Sequence, residues 1–357
     1  KMFPEIFSSQ GNIYFFFIKE SIDILKKEGV LIFINENYYL SSKNAYLLRK
    51  YLLENTSLLL LINFRNVQLF ENVNTLTLIN SFRKALPQAN TILSRTIADS
   101  VKSLDSEGIL NFLSSLPNLI PQKNLHPKQW LLISGAKSSL KDKIDKDSIP
   151  LIQCVDMGQG MTSGNNDVFI VSKDMVSEYG FENELLRKYI KTRDIKPYSL
   201  LFRDLFLIYT EKNIDIDKYP RTKKYLTRYK ELLLKRFEVK SDPSRWFAIS
   251  VQRNKSFFEN YDEKILTPLY SKGNKFAYDD CKINNYFVLT DVYILVPKSK
   301  DYFLKYLLGL LNSKLCNYYI ASFGKLKRDG YYEYSKNTLS QLPIKKDDSY
   351  EQILILV

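Results

Sequence analysis

The chain has 357 residues and a hydrophobic fraction of 45%, which is enough material for two or three domains with buried cores. Lysine and arginine outnumber aspartate and glutamate by 52 to 39, so the net charge is +13. This excess favours a polyanionic partner, with nucleic acid ahead of a membrane surface.

The cysteine and histidine content argues against a metal centre. Cys154, Cys281 and Cys316 lie far apart, and His126 is the only histidine. Structural zinc needs closely spaced Cys or His ligands, so we expect no metal site, and the unpaired cysteines fit a reduced, cytoplasmic compartment. No apolar run reaches the ~18 residues of a membrane span, so no membrane partner is expected. The abrupt start and finish suggest a piece of a longer polypeptide.

The first 85 residues alternate between helix and strand patterns. Apolar spacing predicts helices at 12–27 and 43–54, and short apolar runs predict strands at 30–34, 58–64 and 75–82. The run at 30–34 is typical of a strand buried on both faces of a parallel sheet. This order predicts α/β architecture with part of a doubly wound sheet at 1–85. The first helix would bury a stripe made of Ile13, Phe16, Phe17, Ile22 and Leu25.

Residues 86–127 are less regular. Four prolines, at 87, 117, 121 and 127, interrupt this segment, and one amphipathic helix is predicted at 102–116. We interpret 86–127 as a connector and place a mixed α/β domain at 128–357.

A glycine-containing segment at 155–166 precedes a strand predicted at 168–171. Its three glycines permit left-handed backbone and close approach, and exposed N–H groups in such turns can hold phosphate. Gly160, Thr162 and Asn165 are therefore candidate DNA contacts, with a structural hairpin as the alternative.

Two basic segments follow. Arg193, Lys196 and Tyr198 are candidate phosphate contacts, or else members of an exposed turn. A helix starting at Tyr219-Pro220 would bury Leu226, Tyr229, Leu233 and Phe237. Its opposite side carries candidate DNA contacts, with a solvated basic face as the alternative; these cations are Arg221, Lys224, Arg228, Lys230, Lys235 and Arg236.

The segment 306–344 begins with an amphipathic helix and continues into a basic loop. Apolar residues at helical spacing include Leu307, Leu310, Leu311 and Leu315. Asn312 and Ser313 interrupt this stripe, and we interpret them as serving the fold. The loop is either solvated or set against a polyanion, and its candidate DNA contacts are Lys325, Lys327 and Arg328.

The order of landmarks in the second domain resembles a known family. LLGLLNSKL followed by LPI resembles the end of the TaqI-like specificity domains and of type I specificity subunits in DNA restriction–modification enzymes. GMTSGNNDVF is similar to a hairpin of that family, with Ser163 as an extra residue. Further landmarks in the family's order are Trp130, Trp246, Lys264-Ile265, Pro268 and Asp279.

The first domain resembles the second half of adenine-specific DNA methyltransferases. The stretch LKKEGVLIFINENYYLSSKNAYLLRKYLLEN carries this likeness, and the positions that match are Asn37, Leu40, Leu48, Arg49, Phe64 and Phe70. The resemblance implies that an aromatic after the first strand holds an adenine flipped out of the duplex. Tyr39 aligns best, with Tyr38 and Tyr46 as rivals; packing under the sheet edge is the alternative for each.

The family's glycine-rich S-adenosylmethionine loop and its Asn/Asp-Pro-Pro-Tyr/Phe tetrapeptide occur nowhere in the 357 residues. We therefore predict that this chain alone is inactive, contains no catalytic residue and binds no cofactor. The resemblance implies S-adenosylmethionine for the full-length protein, duplex DNA as partner, and a missing N-terminal part or a restriction partner. The alternatives are a non-catalytic specificity subunit of a type I-like system and an RNA-binding module.

Overall fold

The computed structural model describes residues 6, 11–65, 67–72, 75–87, 89–98, 101, 103–132, 136–299 and 303–345. Contacts divide the chain into two compact units. The first comprises Lys1–Lys146 with Phe323–Tyr331, and the second comprises Asp147–Ser322 with Tyr332–Val357. The division at 146/147 differs from the predicted boundaries at 85/86 and 127/128, because the supposed connector supplies two strands to the sheet of the first unit.

The first unit contains four helices and five strands in the described residues, and β2, β3 and β4 follow one another without an intervening α-helix. In chain order they are α1 (Ile13–Ile24), β1 (Val30–Glu36), α2 (Tyr46–Asn55), β2 (Ser57–Asn63), β3 (Thr77–Arg83), β4 (Thr91–Thr96), α3 (Ser106–Ser114), β5 (Asn118–Pro121) and α4 (Ala136–Asp145).

These strands form one sheet in the order β1-β3-β2-β4-β5. β3 runs antiparallel to both of its neighbours, with Ser81 opposite Ile32 on one side and opposite Leu60 on the other. β1 and β2 are therefore parallel to each other, and the carboxyl ends of both lie at the same edge of the sheet. β4 is parallel to β2, and β5 is antiparallel to β4. The chain is mixed α/β, as predicted.

Helices α1 and α2 cover one face of this sheet. Phe15, Ile18 and Ile22 of α1 are buried with Leu48 and Leu52 of α2. The apolar stripe predicted for α1 was wrong at Ile13 and Phe17, which are 71% and 50% exposed. The sequence IYFFFI is apolar on every side, so periodicity could not determine which side meets the sheet.

The opposite face is covered over only part of its width. Ile62, Phe64, Val67 and Ile97 form a second cluster there, against which α3 packs. At the β1 edge the side chains that alternate outward remain exposed, at 48% for Val30, 68% for Ile32 and 48% for Ile34. The prediction that this strand is buried on both faces is therefore wrong for the described chain.

The second unit contains many short elements. In chain order they are β6 (Ile149–Pro150), β7 (Val155–Gln159), α5 (Asn166–Phe169), β8 (Ile170–Ser172), α6 (Lys173–Tyr179), β9 (Leu186–Lys188), β10 (Ile195–Lys196), β11 (Ser199–Leu200), β12 (Leu205–Ile208), α7 (Pro220–Thr227), α8 (Lys230–Leu234), α9 (Ser256–Glu259), β13 (Glu263–Pro268), β14 (Tyr270–Ser271), β15 (Ala277–Asp280), β16 (Val292–Pro297), α10 (Leu304–Asn312), α11 (Lys314–Phe323, whose last residue groups with the first unit), β17 (Tyr332–Glu333), α12 (Lys336–Leu339) and β18 (Pro343–Ile344).

An antiparallel sheet in the order β15-β13-β16-β7 organises this unit. A three-stranded sheet, β8-β12-β9, shares its apolar core. The pairs β10-β11, β14-β17 and β6-β18 complete the described strands. Residues 166–169, part of which was predicted as strand, form the helical turn α5, because Asn165 caps it through a hydrogen bond to Val168 N.

A buried ion pair joins the two strands at the edge of the four-stranded sheet. Lys264 on β13 lies directly opposite Asp279 on β15, and Lys264 Nζ is 3.1 Å from Asp279 Oδ2 with both side chains fully buried. Lys264 also donates to Asn285 Oδ1 at 2.7 Å, and the Asp279 carboxylate accepts from Tyr286 N at 2.8 Å. These partners offset part of the cost of removing both charges from water.

The predicted C-terminal helix is two helices that meet at Ser313. Asn312 makes two hydrogen bonds with the backbone of Phe276, accepting from its N–H at 3.0 Å and donating to its carbonyl at 2.8 Å. Ser313 Oγ accepts from Cys316 N at 3.1 Å and so caps α11. Both polar residues thus act within the fold. The break also turns Leu315, which was predicted to face inward, into a side chain that is 54% exposed.

No helix in the described ranges is long and apolar enough to cross a membrane. The three cysteines are free thiols. The same ranges contain no group of three or more His, Cys, Asp or Glu side chains that could hold a metal ion.

Removing either partner of the buried pair leaves the other charge without compensation. We expect Lys264→Met and Asp279→Leu each to lower the free energy of unfolding by about 3–5 kcal/mol, and the double replacement to lose less than either single one. Urea unfolding of the four proteins measures this coupling. The exposed pair Lys282–Asp262, whose atoms lie 2.9 Å apart, is the control and should show much weaker coupling, because water screens both charges. Strictly additive losses at Lys264 and Asp279 would contradict the assignment.

Candidate nucleic-acid interface

A concave basic surface lies where β10, β11 and the start of β12 come together in the second unit. A 3₁₀ turn at Thr192–Asp194 leads into the β10-β11 hairpin, and β12 follows. The cavity has a volume of about 640 Å³, and its lining residues are Lys191, Arg193, Asp194, Lys196, Arg203 and Leu205. We call this the basic cavity.

The charges of the basic cavity are only partly compensated. Asp194 is 5% exposed, and its Oδ1 lies 3.4 Å from Arg203 Nε. Lys191, Arg193 and Lys196 make no salt bridge with any residue that the structure describes. An anion that enters the cavity would therefore meet cations that no carboxylate already neutralises.

The backbone that carries these cations is fixed by hydrogen bonds. Thr192 donates its hydroxyl to the Asp291 carboxylate, and Leu201 N donates to Asp194 O at 3.0 Å. At the hairpin turn, Tyr198 N donates to Phe276 O at 2.8 Å. The cavity is thus part of the folded unit and not a loose loop.

The structure brings Arg193 and Lys196 together, as their proximity in sequence indicated. Sequence analysis missed Lys191 and Arg203, which share the cavity with them. Arg203 reaches it only because β10 and β11 fold back on each other, with Ile195 opposite Leu200. The signal that was available is the Lys-Pro-Tyr-Ser sequence with Ile195 before it and Leu200 after it, which could have been interpreted as the turn of a hairpin. Tyr198 lies at that turn and is 47% exposed.

The glycine segment does not offer free N–H groups at the positions predicted. Gly160 N donates to Val292 O at 3.0 Å, and Thr162 N donates to Val251 O at 2.9 Å. The Asn165 side chain caps α5. A Cβ at Gly160 would lie 2.3 Å from Val288 O, so glycine is required there by close backbone packing. For Gly160 the prediction of a phosphate contact through the backbone is therefore wrong.

Arg236 also has a structural position, although it was predicted on a solvated basic face. It donates to the carbonyls of Trp246 at 2.6 Å and Ala248 at 3.0 Å, and burial lowers the pKa of its guanidinium. The predicted helix breaks at Arg228 and Tyr229, which separates α7 from α8. Leu233 of α8 is buried as predicted, whereas Phe237 lies beyond the end of α8, in the 3₁₀ turn Phe237–Val239, and is 87% exposed instead of buried.

The cations in and directly after α7 that were predicted to contact DNA differ in their surroundings. Arg221 donates to Gly180 O at 3.0 Å, and Arg228 donates to Tyr179 Oη at 2.9 Å while lying over that ring. Lys224 is exposed and makes no salt bridge within the described ranges. The three residues therefore form a basic surface. Arg221 and Arg228 are held by the hydrogen bonds given above, and Lys224 is the one of the three with no such bond in the described ranges.

Glu182 fixes the start of α7. Its carboxylate accepts from Arg221 N and Thr222 N, each at 3.0 Å, and from the Thr222 hydroxyl at 2.6 Å. Burial opposes ionisation of this carboxyl group, but these hydrogen bonds outweigh it and hold the pKa of Glu182 below its ordinary value. An ionised carboxylate at the N-terminus of α7 also complements the helix dipole.

The basic loop predicted near the C-terminus belongs to the first unit by its contacts. Gln129 donates to Phe323 O at 3.1 Å, and Lys325 Nζ lies 5.9 Å from the centre of the Tyr38 ring. Lys327 N donates to Tyr331 O at 2.6 Å. The side chain of Arg328 lies outside the described part of the chain.

The three tyrosines proposed to hold a base occupy different environments. Tyr39 is fully buried, and its ring meets Trp130 edge-on at 5.6 Å between centroids. Tyr46 is 41% exposed at the start of α2. Tyr38 is half-buried, next to Lys325. The position of Tyr39 matches the alternative of a tyrosine packed under the sheet edge, and a buried ring has no face on which a base could stack.

Arg49 fixes the backbone beside these tyrosines. It is fully buried in α2 and donates to the carbonyls of Tyr39, Pro127 and Lys128, the last two at 2.7 Å. Burial lowers its pKa to about 10. The three carbonyls give the buried charge hydrogen-bond partners and hold the turn after β1 in place.

Two asparagines meet at the carboxyl ends of the parallel strands β1 and β2. Asn37 Nδ2 donates to Asn63 Oδ1 at 3.0 Å, and the same oxygen accepts from Arg65 N at 3.1 Å. Tyr38 follows Asn37 directly. In open α/β sheets, ligands bind outside the carboxyl ends of parallel strands, so this edge is the candidate base-binding region of the first unit.

Comparisons with known proteins show that two segments of the chain match known sequence families. Residues 187–344 match the TaqI-like C-terminal specificity domain, and residues 1–70 match the Eco57I restriction-modification methylase. Both resemblances inferred from the sequence are confirmed.

Curated relatives match across nearly the whole chain. The type II methyltransferase M.HindII of Haemophilus influenzae is 28% identical over 367 residues, which cover 96% of this chain and 68% of the relative. The type II restriction enzyme and methyltransferase RM.Eco57I of Escherichia coli is 24% identical over 383 residues, which cover 95% of this chain but only 37% of the relative. The chain thus corresponds to part of longer proteins.

Among solved structures, the type IIL restriction-modification enzyme MmeI, determined in complex with DNA, has a similar fold. The TM-score is 0.58 at 15% identity, and the match covers 96% of this chain and 42% of MmeI.

Proposed function

We propose that this chain recognises duplex DNA as part of a type II restriction–modification methyltransferase that acts on adenine. One observation carries the proposal: the TaqI-like specificity domain at 187–344 contains the basic cavity, whose lysines and arginines lie on a fixed backbone. Lysine and arginine position a protein on the phosphates of DNA, whereas side chains on base edges select the sequence. The names of the relatives M.HindII and RM.Eco57I support the methyltransferase context.

The type I specificity subunit is the less favoured alternative. The methylase segment at 1–70 precedes the specificity domain in the same chain, whereas a non-catalytic subunit needs no such segment. An RNA-binding module remains an outcome of the DNA-binding experiment below.

The chain's own residues do not fit S-adenosylmethionine. No glycine-rich turn follows β1, β2, β3, β4 or β5, and such turns allow backbone to approach a nucleotide-like cofactor. In the proposal, the full-length protein binds the methyl donor through a part that this chain does not include. That part would also supply the catalytic tetrapeptide.

The sheet of the first unit is proposed to be the terminal portion of a doubly wound methylase sheet. β1 forms its edge and exposes Val30, Ile32 and Ile34, which would be buried if further strands and helices of the full-length protein continued the sheet. This chain covers only 37% of RM.Eco57I, which is consistent with further strands and helices in the full-length protein.

Tyr38 is proposed as the aromatic that contacts the flipped adenine. It lies at the carboxyl edge of β1, unlike Tyr39 it is not confined to the core, and Lys325 lies near its ring. Base–aromatic stacking needs an accessible ring face, which a half-buried tyrosine can present.

The 357-residue chain should bind a 20-base-pair duplex with an affinity that falls steeply with salt. For about six phosphate contacts, roughly a thousand-fold loss is expected between 50 and 200 mM salt, because bound phosphates release counterions. Fluorescence anisotropy measures the affinity, with structured RNA as competitor. Affinity indifferent to salt would contradict the proposal, and preferential binding of RNA would favour the RNA-binding module.

Amide hydrogen exchange tests the proposed sheet. The outward amides of β1 should exchange rapidly in the isolated chain and become protected in the full-length protein, because a neighbouring strand then pairs with them. Amides of β3, which is paired on both sides, serve as the control and should be protected in both. Equal exchange rates of the β1 amides in the two proteins would contradict the proposed continuation of the sheet.

A duplex with 2-aminopurine at the target adenine tests Tyr38 in the full-length protein. Loss of stacking should weaken capture of the flipped base by about 1–3 kcal/mol in Tyr38→Ala, and Tyr38→Phe should retain it. Binding-dependent fluorescence gives the measurement. If Tyr46→Ala changes the signal and Tyr38→Ala does not, Tyr46 takes the role and the assignment to Tyr38 fails.

A further inference from the structure

We propose that the basic cavity is a clamp for two neighbouring phosphates of one DNA strand, and that Asp194 positions Arg203 within it. This inference rests on the proposed function but goes further, because it assigns the cavity to the DNA backbone and not to the bases.

The charge of the cavity suits phosphodiesters. Its lining holds four cationic side chains and one carboxylate, which leaves three positive charges in excess. The carboxylate of Asp194 is buried and already faces Arg203, so it is not an acidic group free to repel a phosphate. Cations without a carboxylate partner lose little when they contact a phosphate, because no existing ion pair has to be broken.

The size of the cavity indicates more than one phosphate. A volume of 640 Å³ corresponds to roughly 11 Å across if it is treated as a sphere. Successive phosphates of a strand advance about 3.4 Å along the helix axis and lie about twice that far apart in space, because the backbone winds around the axis. A cavity of this width can accept two adjacent phosphodiesters, and we assign Lys191, Arg193 and Lys196 as their partners.

Asp194 gives Arg203 a defined orientation. The contact at 3.4 Å involves Nε, so the terminal N–H groups of the guanidinium remain available on its other side. A guanidinium held in this way can contact a phosphate with two parallel N–H groups. The side chain of Arg203 is 63% exposed, so packing restrains it little, and the Asp194 carboxylate supplies the restraint instead. This restraint lowers the entropy that the Arg203 side chain loses when it binds a phosphate.

The cations of the lining are grouped around one strand hairpin, which favours the backbone of one DNA strand. Arginine and lysine can also read guanine, so duplexes of unrelated sequence are needed to distinguish phosphate contacts from base contacts. Contacts to phosphate fix position without selecting sequence. Loss of the clamp should therefore weaken all duplexes by a similar factor.

The test compares two triple variants of the 357-residue chain with equal changes in net charge. Lys191→Gln/Arg193→Gln/Lys196→Gln removes the unpaired cations of the cavity. Lys212→Gln/Lys218→Gln/Lys240→Gln removes three exposed lysines elsewhere in the same unit and is the control. Circular dichroism and thermal unfolding establish that both variants fold.

The slope of log K against log salt is the readout, measured with two duplexes of unrelated sequence. The cavity variant should have a slope smaller in magnitude by about 2, since each lost phosphate contact removes about 0.9. The control should change it by less than about half a unit. A cavity variant that folds, binds DNA and keeps the wild-type slope would overturn the clamp while leaving the proposed function intact. Weakening of one duplex only would also overturn it, since that outcome indicates base recognition.

A free anionic ligand is distinguished with inorganic pyrophosphate. If the wild-type chain does not bind DNA, the proposed function fails. If the wild-type chain does not bind DNA but is stabilised by pyrophosphate, and the cavity variant is not stabilised, then the cavity binds a small phosphate ligand and the DNA clamp is overturned.

Asp194 is tested through its dependence on Arg203. Asp194→Asn should weaken DNA binding in the wild-type background although it removes a negative charge from the cavity, and it should not weaken binding in an Arg203→Gln background. An equal effect in both backgrounds would show a purely structural role and would overturn the positioning assignment.

Discussion

The buried pair of Lys264 and Asp279 holds together the strands on which the rest of the second unit depends. Asp279 lies on β15, and Phe276, which directly precedes that strand, forms hydrogen bonds with two other elements. Phe276 binds Tyr198 of the β10-β11 hairpin through its carbonyl, and it binds Asn312 at the end of α10 through both backbone groups. The hairpin that carries Lys196 and the closing helix pair therefore share one anchoring strand. Disturbing the ion pair would be expected to reach the basic cavity through this strand.

Arg49 plays a comparable part in the first unit, although by different chemistry. It has no carboxylate partner among its hydrogen bonds, and carbonyl groups distant in sequence satisfy it instead. Arg49 and Lys264 both stand at positions that carry the family resemblance. Their burial gives those positions a physical reason, because a buried cation requires a fixed set of oxygen partners and so specifies how separate segments come together.

The local elements were largely predictable from sequence, but the contacts between distant segments were not. Short apolar runs located β1, β2 and β3 to within a few residues, because buried strands leave a strong local pattern. The burial of Tyr39 depends on Trp130, which lies far along the chain, and no local pattern reports that contact. Arg203 likewise joins Arg193 only through strand pairing. The need for glycine at position 160 comes from the carbonyls of Val288 and Leu289, which sequence spacing does not reveal.

The segment Phe323–Tyr331 groups with the first unit, while the residues before and after it group with the second. The covalent chain consequently passes between the units at three places, at 146/147, 322/323 and 331/332. Exchanging the recognition module for one with another DNA target would therefore require more than a single junction near residue 147. A graft made at that junction alone would also replace Lys325, which lies beside Tyr38. The graft would then alter the methylase part, although its aim is to change only the DNA sequence that is recognised.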